Sequence, residues 1–293
     1  TLEEREKALN YILPYQESDF LSLYKIMAGK PVVVRYLDPP LHEFLPKEES
    51  EITSLAKSLN KSTEDIIEKI ASLKEFNPMM GHRGCRLLIT YPEICVMQTK
   101  ALIGAAIKAI GEGIKVTPEI MIPLVGSINE FTYLKDIVTK TADAMLKEAN
   151  LNIKYLVGTM IEVPRATLIA DEIAKHADFF SFGTNDLTQM TFGFSRDDAG
   201  KFLTDYYAKE ILSSDPFKSI DEVGVGSLVK LAIDKGTSMN PFLSLGVCGE
   251  HGGDPKSVTF FNEIGLDYVS CSPYRVPIAA LAAARSELQK KLN

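Results

Sequence analysis

The segment Val157-Gly158-Thr159-Met160-Ile161-Glu162, the amphipathic pattern over 164–176 and the segment Phe179-Phe180-Ser181-Phe182-Gly183 follow one another along the chain. Two short apolar runs on either side of a helical pattern indicate a strand-helix-strand unit, which is the building block of parallel sheets. The same alternation continues in both directions from this unit. It predicts seven strands, near 32–37, 79–83, 119–125, 155–162, 179–183, 243–248 and 267–271.

Helical patterns lie between most of these strands, at 93–110, 128–148, 164–176, 222–235, 255–264 and 276–291. We also predict helices over 2–13 and 19–28, capped by Thr1 and by Ser18 or Asp19, and a polar helical excursion at about 47–75. The expected fold class is α/β, a (β/α)8 TIM-type barrel that lacks one of its eight strands in this chain. Since no linker or repeat divides the sequence, residues 1–293 are expected to form one domain.

The composition narrows the class of protein. Hydrophobic residues make up 45% and charged residues 24% of the chain, which is typical of a globular protein. The net charge is −7 and there is no basic run, so nucleic acid is not an expected partner. The most apolar stretch is interrupted by Lys100 and Lys108, so no membrane span is predicted. The four cysteines show no CxxC spacing, which favours neither a zinc site nor a disulfide framework and suggests a reducing compartment.

Polar residues follow directly on several predicted strands. In parallel barrels the functional site gathers at the carboxyl ends of the strands. Glu162 and Asp186 follow two successive strands, and because neighbouring strands lie about 4.8 Å apart, their carboxylates can bind one cation. A site made only of oxygen ligands favours Mg²⁺ or Mn²⁺. The complete set of candidates at these ends is Arg35, His82, Arg83, Glu162, Asn185, Asp186 and Cys248.

The segment Gly246-Val247-Cys248-Gly249-Glu250-His251-Gly252-Gly253 places a thiol at the end of a strand among four glycines. Glycines allow a sharp turn and the close approach of another molecule, so Cys248 is predicted to face a small ligand. Arginines bind anions such as phosphate or carboxylate through forked hydrogen bonds. A divalent cation stabilises an enolate, and a thiol can exchange a proton with the adjacent carbon. Together these groups fit a three-carbon enolate that gains or loses a phosphoryl group.

Structural roles remain open for each of these residues. A carboxylate at a strand end is often a helix cap, and Asp186 can cap a helix that begins at Leu187. Arginines at such positions often form structural ion pairs. We assign Cys85, Cys95 and Cys271 to the core and give His42, His82 and His176 no metal-binding role, while His251 is expected to orient the glycine loop.

Several segments resemble the pyruvate, phosphate dikinase family of phosphoenolpyruvate (PEP)-utilising enzymes. They include Val34 to Pro46, Asn77 to Arg86, Gly158 to Arg165, Phe182 to Asp198 and Gly246 to Pro255. The resemblance covers essentially the whole chain and implies a carboxy-terminal PEP/pyruvate-binding barrel. The family reaction makes PEP, AMP and diphosphate from pyruvate, ATP and phosphate, reversibly, and the barrel performs the step between a phosphohistidine and pyruvate.

The resemblance also implies the roles of individual residues. Glu162 and Asp186 match the Mg²⁺ ligands, and Cys248 matches the proton donor. Arg35 matches a residue that contacts the substrate, and Arg83 one that lines the same pocket. Gly183, Thr184 and Asn185 match the substrate-binding loop, while Arg196 and Tyr268 match positions near the site.

The resemblance further implies parts that this chain does not match: the phosphohistidine carrier, the nucleotide-binding domain and a first barrel strand that precedes Thr1. It implies a homodimer in the cytoplasm or in an organelle such as a plastid. Two other functions remain open from the sequence. The chain can be a non-catalytic barrel module used for subunit association or regulation, or a metal-dependent lyase or aldolase that acts on keto acids.

Overall fold

The computed structural model describes residues 1–292. Six strands form a single curled sheet in which every neighbouring pair is parallel and the spatial order is the sequence order. The predicted α/β class with a barrel-like parallel sheet is thereby confirmed. The strands are β1 (Pro31–Arg35), β2 (Thr117–Ile122), β3 (Leu156–Ile161), β4 (Phe179–Gly183), β5 (Ser244–Cys248) and β6 (Tyr268–Val269).

Thirteen α-helices accompany the sheet in the described part of the chain. They are α1 (Leu2–Ile26), α2 (Glu49–Leu59), α3 (Thr63–Leu73), α4 (Gly84–Thr90), α5 (Pro92–Gly111), α6 (Ile128–Glu148), α7 (Pro164–Leu168), α8 (Ala170–Ala174), α9 (Thr184–Phe192), α10 (Gly200–Ala208), α11 (Val225–Met239), α12 (Pro255–Glu263) and α13 (Val276–Leu292). The polar excursion predicted at 47–75 is confirmed as the helix pair α2 and α3, and Ser62 caps α3 by accepting a hydrogen bond from the Asp65 amide.

The strands turn alternate residues toward the helices and toward the inside of the curl, as the period of two requires. On β4, Phe180 and Phe182 belong to the main core between sheet and helices. Phe179 instead packs with Met121 and Met160 in a small internal cluster. The outer apolar layer stabilises the sheet, and the inner positions near the carboxyl ends are left for polar groups.

The prediction of a strand at 79–83 is wrong. Residues Pro78–Met80 form a short 3-10 helix, and α4 begins at Gly84. Pro78, directly before the predicted strand, has no amide hydrogen to donate to a sheet, and the apolar run Met79-Met80 is only two residues long. The sheet therefore has six strands rather than seven, two fewer than a closed eight-stranded barrel.

The amino-terminal region also differs from its prediction. One helix, α1, replaces the two helices expected over 2–13 and 19–28, and it contains Pro14. The helix continues through the proline because it packs along α5, which compensates for one lost backbone hydrogen bond. The predicted cap at Thr1 is confirmed, since its hydroxyl accepts from the Glu4 amide. The single helix predicted at 164–176 is divided into α7 and α8 around Ile169.

Helix α5 is long and apolar enough to cross a membrane by length and composition, despite Lys100 and Lys108. In the structure 61% of its most apolar window is buried. It packs between α1 and α6, and this burial accounts for its apolar composition.

Candidate active site

A cavity of about 1060 Å³ opens at the carboxyl ends of the strands and extends into the curl of the sheet. Glu162 follows β3, and Gly183 ends β4 next to the first turn of α9. Six of the predicted site residues line this cavity: Arg35, Glu162, Gly183, Asn185, Asp186 and Cys248. The fold therefore brings together residues from the ends of β1, β3, β4 and β5.

Glu162 is the most deeply buried carboxylate of the site, with 1% of its surface exposed. Its Oε1 accepts a hydrogen bond of 2.6 Å from the Leu124 amide. Leu124 has a φ of 60°, a left-handed conformation that costs a residue with a side chain roughly 1–2 kcal/mol. The Oε2 atom of Glu162 has no hydrogen-bond partner among the described residues. One carboxylate oxygen is thus held in place while the other is left free.

When no cation is bound, the surroundings of Glu162 disfavour its ionised form. Burial is the main cause that raises its pKa well above the usual value, and the negative charges of Asp186 and Asp38 raise it further. A cation between Glu162 and Asp186 would reverse both effects, because it would supply charge and coordination to the unpartnered oxygen.

Asp38 and Arg83 form a buried ionic network behind the cavity. The Arg83 Nη2 lies 2.6 Å from the Asp38 Oδ2, and its Nη1 lies 3.1 Å from the Asp186 Oδ1. Arg35 Nη1 lies 3.1 Å from the same Asp38 oxygen. Burial alone would lower the pKa of Arg83, but Asp186 and Asp38 raise it overall. The guanidinium of Arg83 therefore fixes the position of Asp186.

The two predicted arginines thus differ in their placement. Arg35 lines the cavity, and 42% of its side chain is exposed. Arg83 is 3% exposed and does not line the cavity; it contacts the lining residue Asp186 directly and is linked to the lining residue Arg35 through Asp38. Asp186 does not cap a helix that begins at Leu187, because α9 begins at Thr184 and places Asp186 in its first turn.

Cys248 ends β5 and lies opposite Gly183 in the strand register. Its Sγ is 3.7 Å from the Phe182 carbonyl oxygen. Burial raises the pKa of the Cys248 thiol to about 11, and the nearby Glu162 charge contributes in the same direction. The thiol is therefore protonated at neutral pH, which suits a proton donor better than a thiolate nucleophile.

Thr184 and Asn185 connect the start of α9 to the glycine loop. The Thr184 hydroxyl lies 2.7 Å from His251 Nδ1 and 3.2 Å from the Cys248 carbonyl oxygen. The Asn185 Oδ1 accepts a hydrogen bond of 3.4 Å from the Glu250 amide. Asn185 lines the cavity, whereas the Thr184 side chain is fully buried.

The sequence interpretation missed Asp38. It is 5% exposed and its Oδ1 has no hydrogen-bond partner among the described residues. An aspartate three residues after the strand-end arginine was the available signal, but its partner Arg83 is 45 residues away. Of the two positions that the resemblance placed near the site, Tyr268 lines the cavity, and the Arg196 Nη2 lies 3.7 Å from the Glu250 Oε1.

The predicted core cysteines Cys85 and Cys95 are fully buried, whereas Cys271 is partly exposed and lines the cavity. No group of three or more His, Cys, Asp or Glu side chains suited to a metal occurs in the part of the chain that the structure describes. Mg²⁺ commonly uses one or two carboxylates and completes its shell with water and substrate oxygens. The free oxygen of Glu162 beside Asp186 fits that pattern.

Comparison with known proteins adds three findings. The family model described as "PEP-utilising enzyme, PEP-binding domain" matches residues 1–288. A pyruvate, phosphate dikinase from Clostridium symbiosum is 57% identical over 99% of this chain and 33% of its own length. A chloroplastic pyruvate, phosphate dikinase from Mesembryanthemum crystallinum is 55% identical over 97% of this chain and 30% of its own length. The chain therefore spans about a third of the length of these relatives.

Among solved structures, a citrate lyase from Burkholderia xenovorans aligns with a TM-score of 0.44 and 14% identity. The alignment covers 87% of this chain and 77% of that one. At this level of similarity the match supports no conclusion about function.

Proposed function

The chain belongs to the PEP-binding domain family of the PEP-utilising enzymes, and from this membership we propose that it is the PEP/pyruvate-binding catalytic portion of a pyruvate, phosphate dikinase. Residues 1–293 would act as a single domain. The observation that carries the proposal is that Glu162, Asp186 and Cys248, from the ends of three neighbouring strands, line one cavity.

The proposed step transfers a phosphoryl group between a phosphohistidine and the enolate oxygen of pyruvate. In the direction of PEP formation, the minor thiolate form of Cys248 takes a proton from the methyl carbon of pyruvate, and the enolate oxygen forms the new bond to phosphorus as the histidine nitrogen leaves. The overall reaction is ATP + pyruvate + phosphate = AMP + PEP + diphosphate. In the reverse direction the enolate takes its proton from the Cys248 thiol, whose raised pKa keeps it protonated.

Glu162 and Asp186 would hold Mg²⁺. When bound, this ion stabilises the negative charge on the enolate oxygen. Arg83 and the Leu124 amide each hold one carboxylate oxygen, of Asp186 and Glu162 respectively. Both carboxylates are thereby oriented before any ligand enters, which reduces the cost of reorganisation on binding.

Arg35 would bind the anionic part of the substrate at the mouth of the cavity. Its guanidinium is partly exposed and is anchored on one side by Asp38, so the remaining donors are free for carboxylate or phosphate oxygens. Arg83 would contribute positive charge and hold Asp186. The backbone at Gly183 and the side chain of Asn185 line the same end of the cavity.

The proposed reaction needs partners outside this chain, namely a phosphohistidine carrier and a nucleotide-binding domain. We also propose a homodimer and a cytoplasmic location, or a plastid location as for the relative described as chloroplastic. The net charge of −7 does not favour a nucleic-acid partner.

Calorimetric titration of the chain with oxalate, which mimics the enolate, tests the proposal. We expect binding that requires Mg²⁺ and that is lost in Glu162→Gln and Asp186→Asn. Glu172→Gln is the matched control, because Glu172 is exposed and, among the described residues, forms a salt bridge only with Lys175 three residues away. Absence of Mg²⁺-dependent binding to the unmodified chain would instead favour a non-catalytic module.

A further inference from the structure

His251 is fully buried in the glycine loop that follows β5. Its Nδ1 lies 2.7 Å from the Thr184 hydroxyl, and its Nε2 lies 2.9 Å from the Pro216 carbonyl oxygen. The ring therefore joins three separate parts of the chain: its own loop, the first residue of α9, and the segment between α10 and α11. The sequence interpretation expected only that it would orient the loop.

The partners of His251 determine where its proton lies. A carbonyl oxygen can only accept a hydrogen bond, so Nε2 must carry the proton that it donates to Pro216. In the neutral ring Nδ1 is then unprotonated and can only accept, so the Thr184 hydroxyl donates to it. Burial lowers the pKa of His251, and this effect outweighs the Pro216 carbonyl and the nearby acidic residues Asp254, Glu250 and Asp215, which raise the pKa. The ring is therefore neutral at neutral pH.

The direction of the Thr184 hydroxyl has a consequence for the cavity. A hydroxyl has one proton, and here it is directed to two acceptors, His251 Nδ1 at 2.7 Å and the Cys248 carbonyl oxygen at 3.2 Å, so this side chain cannot also donate to a substrate. Thr184 immediately precedes Asn185 and Asp186, and its oxygen lies 3.2 Å from the Cys248 carbonyl oxygen. The His251–Thr184 pair thus lies between the strand end that carries the thiol and the helix turn that carries the metal-binding carboxylate.

We propose that His251 is a positioning residue that acts through Thr184 to fix the Cys248 thiol relative to Asp186. This inference rests on the proposed function, because the alignment matters chemically only if Cys248 exchanges a proton with a metal-bound enolate. A displacement of about 1 Å can cost roughly 10²-fold in rate, so one hydrogen bond at this place can have a large effect.

The tautomer of His251 can be tested without any catalytic assay. In ¹⁵N NMR of the labelled chain at neutral pH, we expect Nε2 to be protonated and Nδ1 to be unprotonated. Thr184→Val should keep this tautomer and shift only the Nδ1 resonance, because that nitrogen loses its donor. A proton on Nδ1 in the unmodified chain would overturn the inference.

Two substitutions separate the hydrogen bonds of the ring. In His251→Asn the amide oxygen replaces Nδ1 and can still accept from Thr184, whereas His251→Gln retains a donor near Pro216 and loses the acceptor. The measurements are Mg²⁺-dependent deuterium exchange into the pyruvate methyl group and the Kd of oxalate. His176→Gln is the control, since His176 is exposed at a helix end.

We expect His251→Gln to lower the exchange rate by roughly 10- to 100-fold with little change in the Kd of oxalate. His251→Asn should retain most of the exchange. Equal exchange in the two variants, or a parallel loss of binding and exchange, would overturn the positioning role. If the unmodified chain neither exchanges deuterium nor binds oxalate with Mg²⁺, the proposed function fails, and the NMR tautomer still decides whether the ring is oriented as inferred.

Discussion

Single residues at the ends of β3, β4 and β5 line the candidate site and would supply its proposed chemistry. Glu162 is held by one backbone amide while its other oxygen has no hydrogen-bond partner among the described residues, and Asp186 is held by Arg83. Their positions at strand ends were predictable from the sequence. The contacts that orient them were not, because Asp38, Arg83 and Asp186 meet across separations of 45 and 103 residues.

Replacement of Cys248 by serine tests its role as proton donor. Cys248→Ser should leave Mg²⁺-dependent oxalate binding intact and lower deuterium exchange into pyruvate by roughly 10²-fold or more, because an alcohol is a much weaker acid than a thiol. Cys271→Ser is the matched control, since Cys271 also lines the cavity but follows β6. Unchanged exchange in Cys248→Ser would exclude the proposed role.

The raised pKa of Glu162 predicts how stability depends on pH when no cation is bound. Above about pH 4.5 the unfolded chain releases a proton that the folded chain retains. The folded state therefore loses stability as the pH rises from there toward the raised folded pKa. Glu162→Gln removes this titration.

We accordingly expect Glu162→Gln, without Mg²⁺, to increase the free energy of unfolding at neutral pH by roughly 1–3 kcal/mol. Its stability should also fall less steeply with pH. Urea unfolding measured from pH 4 to 8 provides the comparison, with Glu172→Gln expected to follow the unmodified chain. A Gln variant that is less stable throughout this range would show that the buried carboxylate is stabilised by contacts other than those described.

Among the elements, those with a clear period were predicted well. The observed bounds agree closely with the predicted ranges for the strands β3 and β4 and for the helices α5, α6 and α13. The errors occur where tertiary packing overrides a local signal. Pro14 lies inside α1 because that helix packs on α5. The 3-10 helix Pro78–Met80 replaces the predicted strand at 79–83, and Arg83 follows it beside Asp38 and Asp186.

Contact between β3 and β4 inside the curl predicts a strong effect at one glycine. A Cβ at Gly158 would overlap the carbonyl oxygen and ring of Phe179. Gly158→Ala should therefore destabilise the fold by roughly 1–3 kcal/mol. Gly200→Ala is the control, because a Cβ there meets nothing within 4 Å and alanine favours the helix α10. In thermal unfolding, the melting temperature should fall clearly in Gly158→Ala and should rise or stay nearly unchanged in Gly200→Ala. Equal melting temperatures of the two variants would contradict the described packing.

The whole molecule is a curled parallel sheet with six strands rather than a closed ring. In the described chain β1 and β6 each pair with one strand only, and the cavity continues between them, where α1 and α13 line it. Seven strands were predicted from the sequence because the apolar pair Met79 and Met80 resembles the start of a short buried strand. The parallel, barrel-like sheet followed correctly from the alternation of strands and helices.

Crystals of the chain grown with Mn²⁺ in place of Mg²⁺, together with oxalate, test the central claim most directly. The anomalous signal of the metal should lie between Glu162 Oε2 and Asp186, with oxalate bound to it and the Cys248 thiol on the same side of the cavity. A metal bound elsewhere, or oxalate held in the cavity without contact to either carboxylate, would contradict the account.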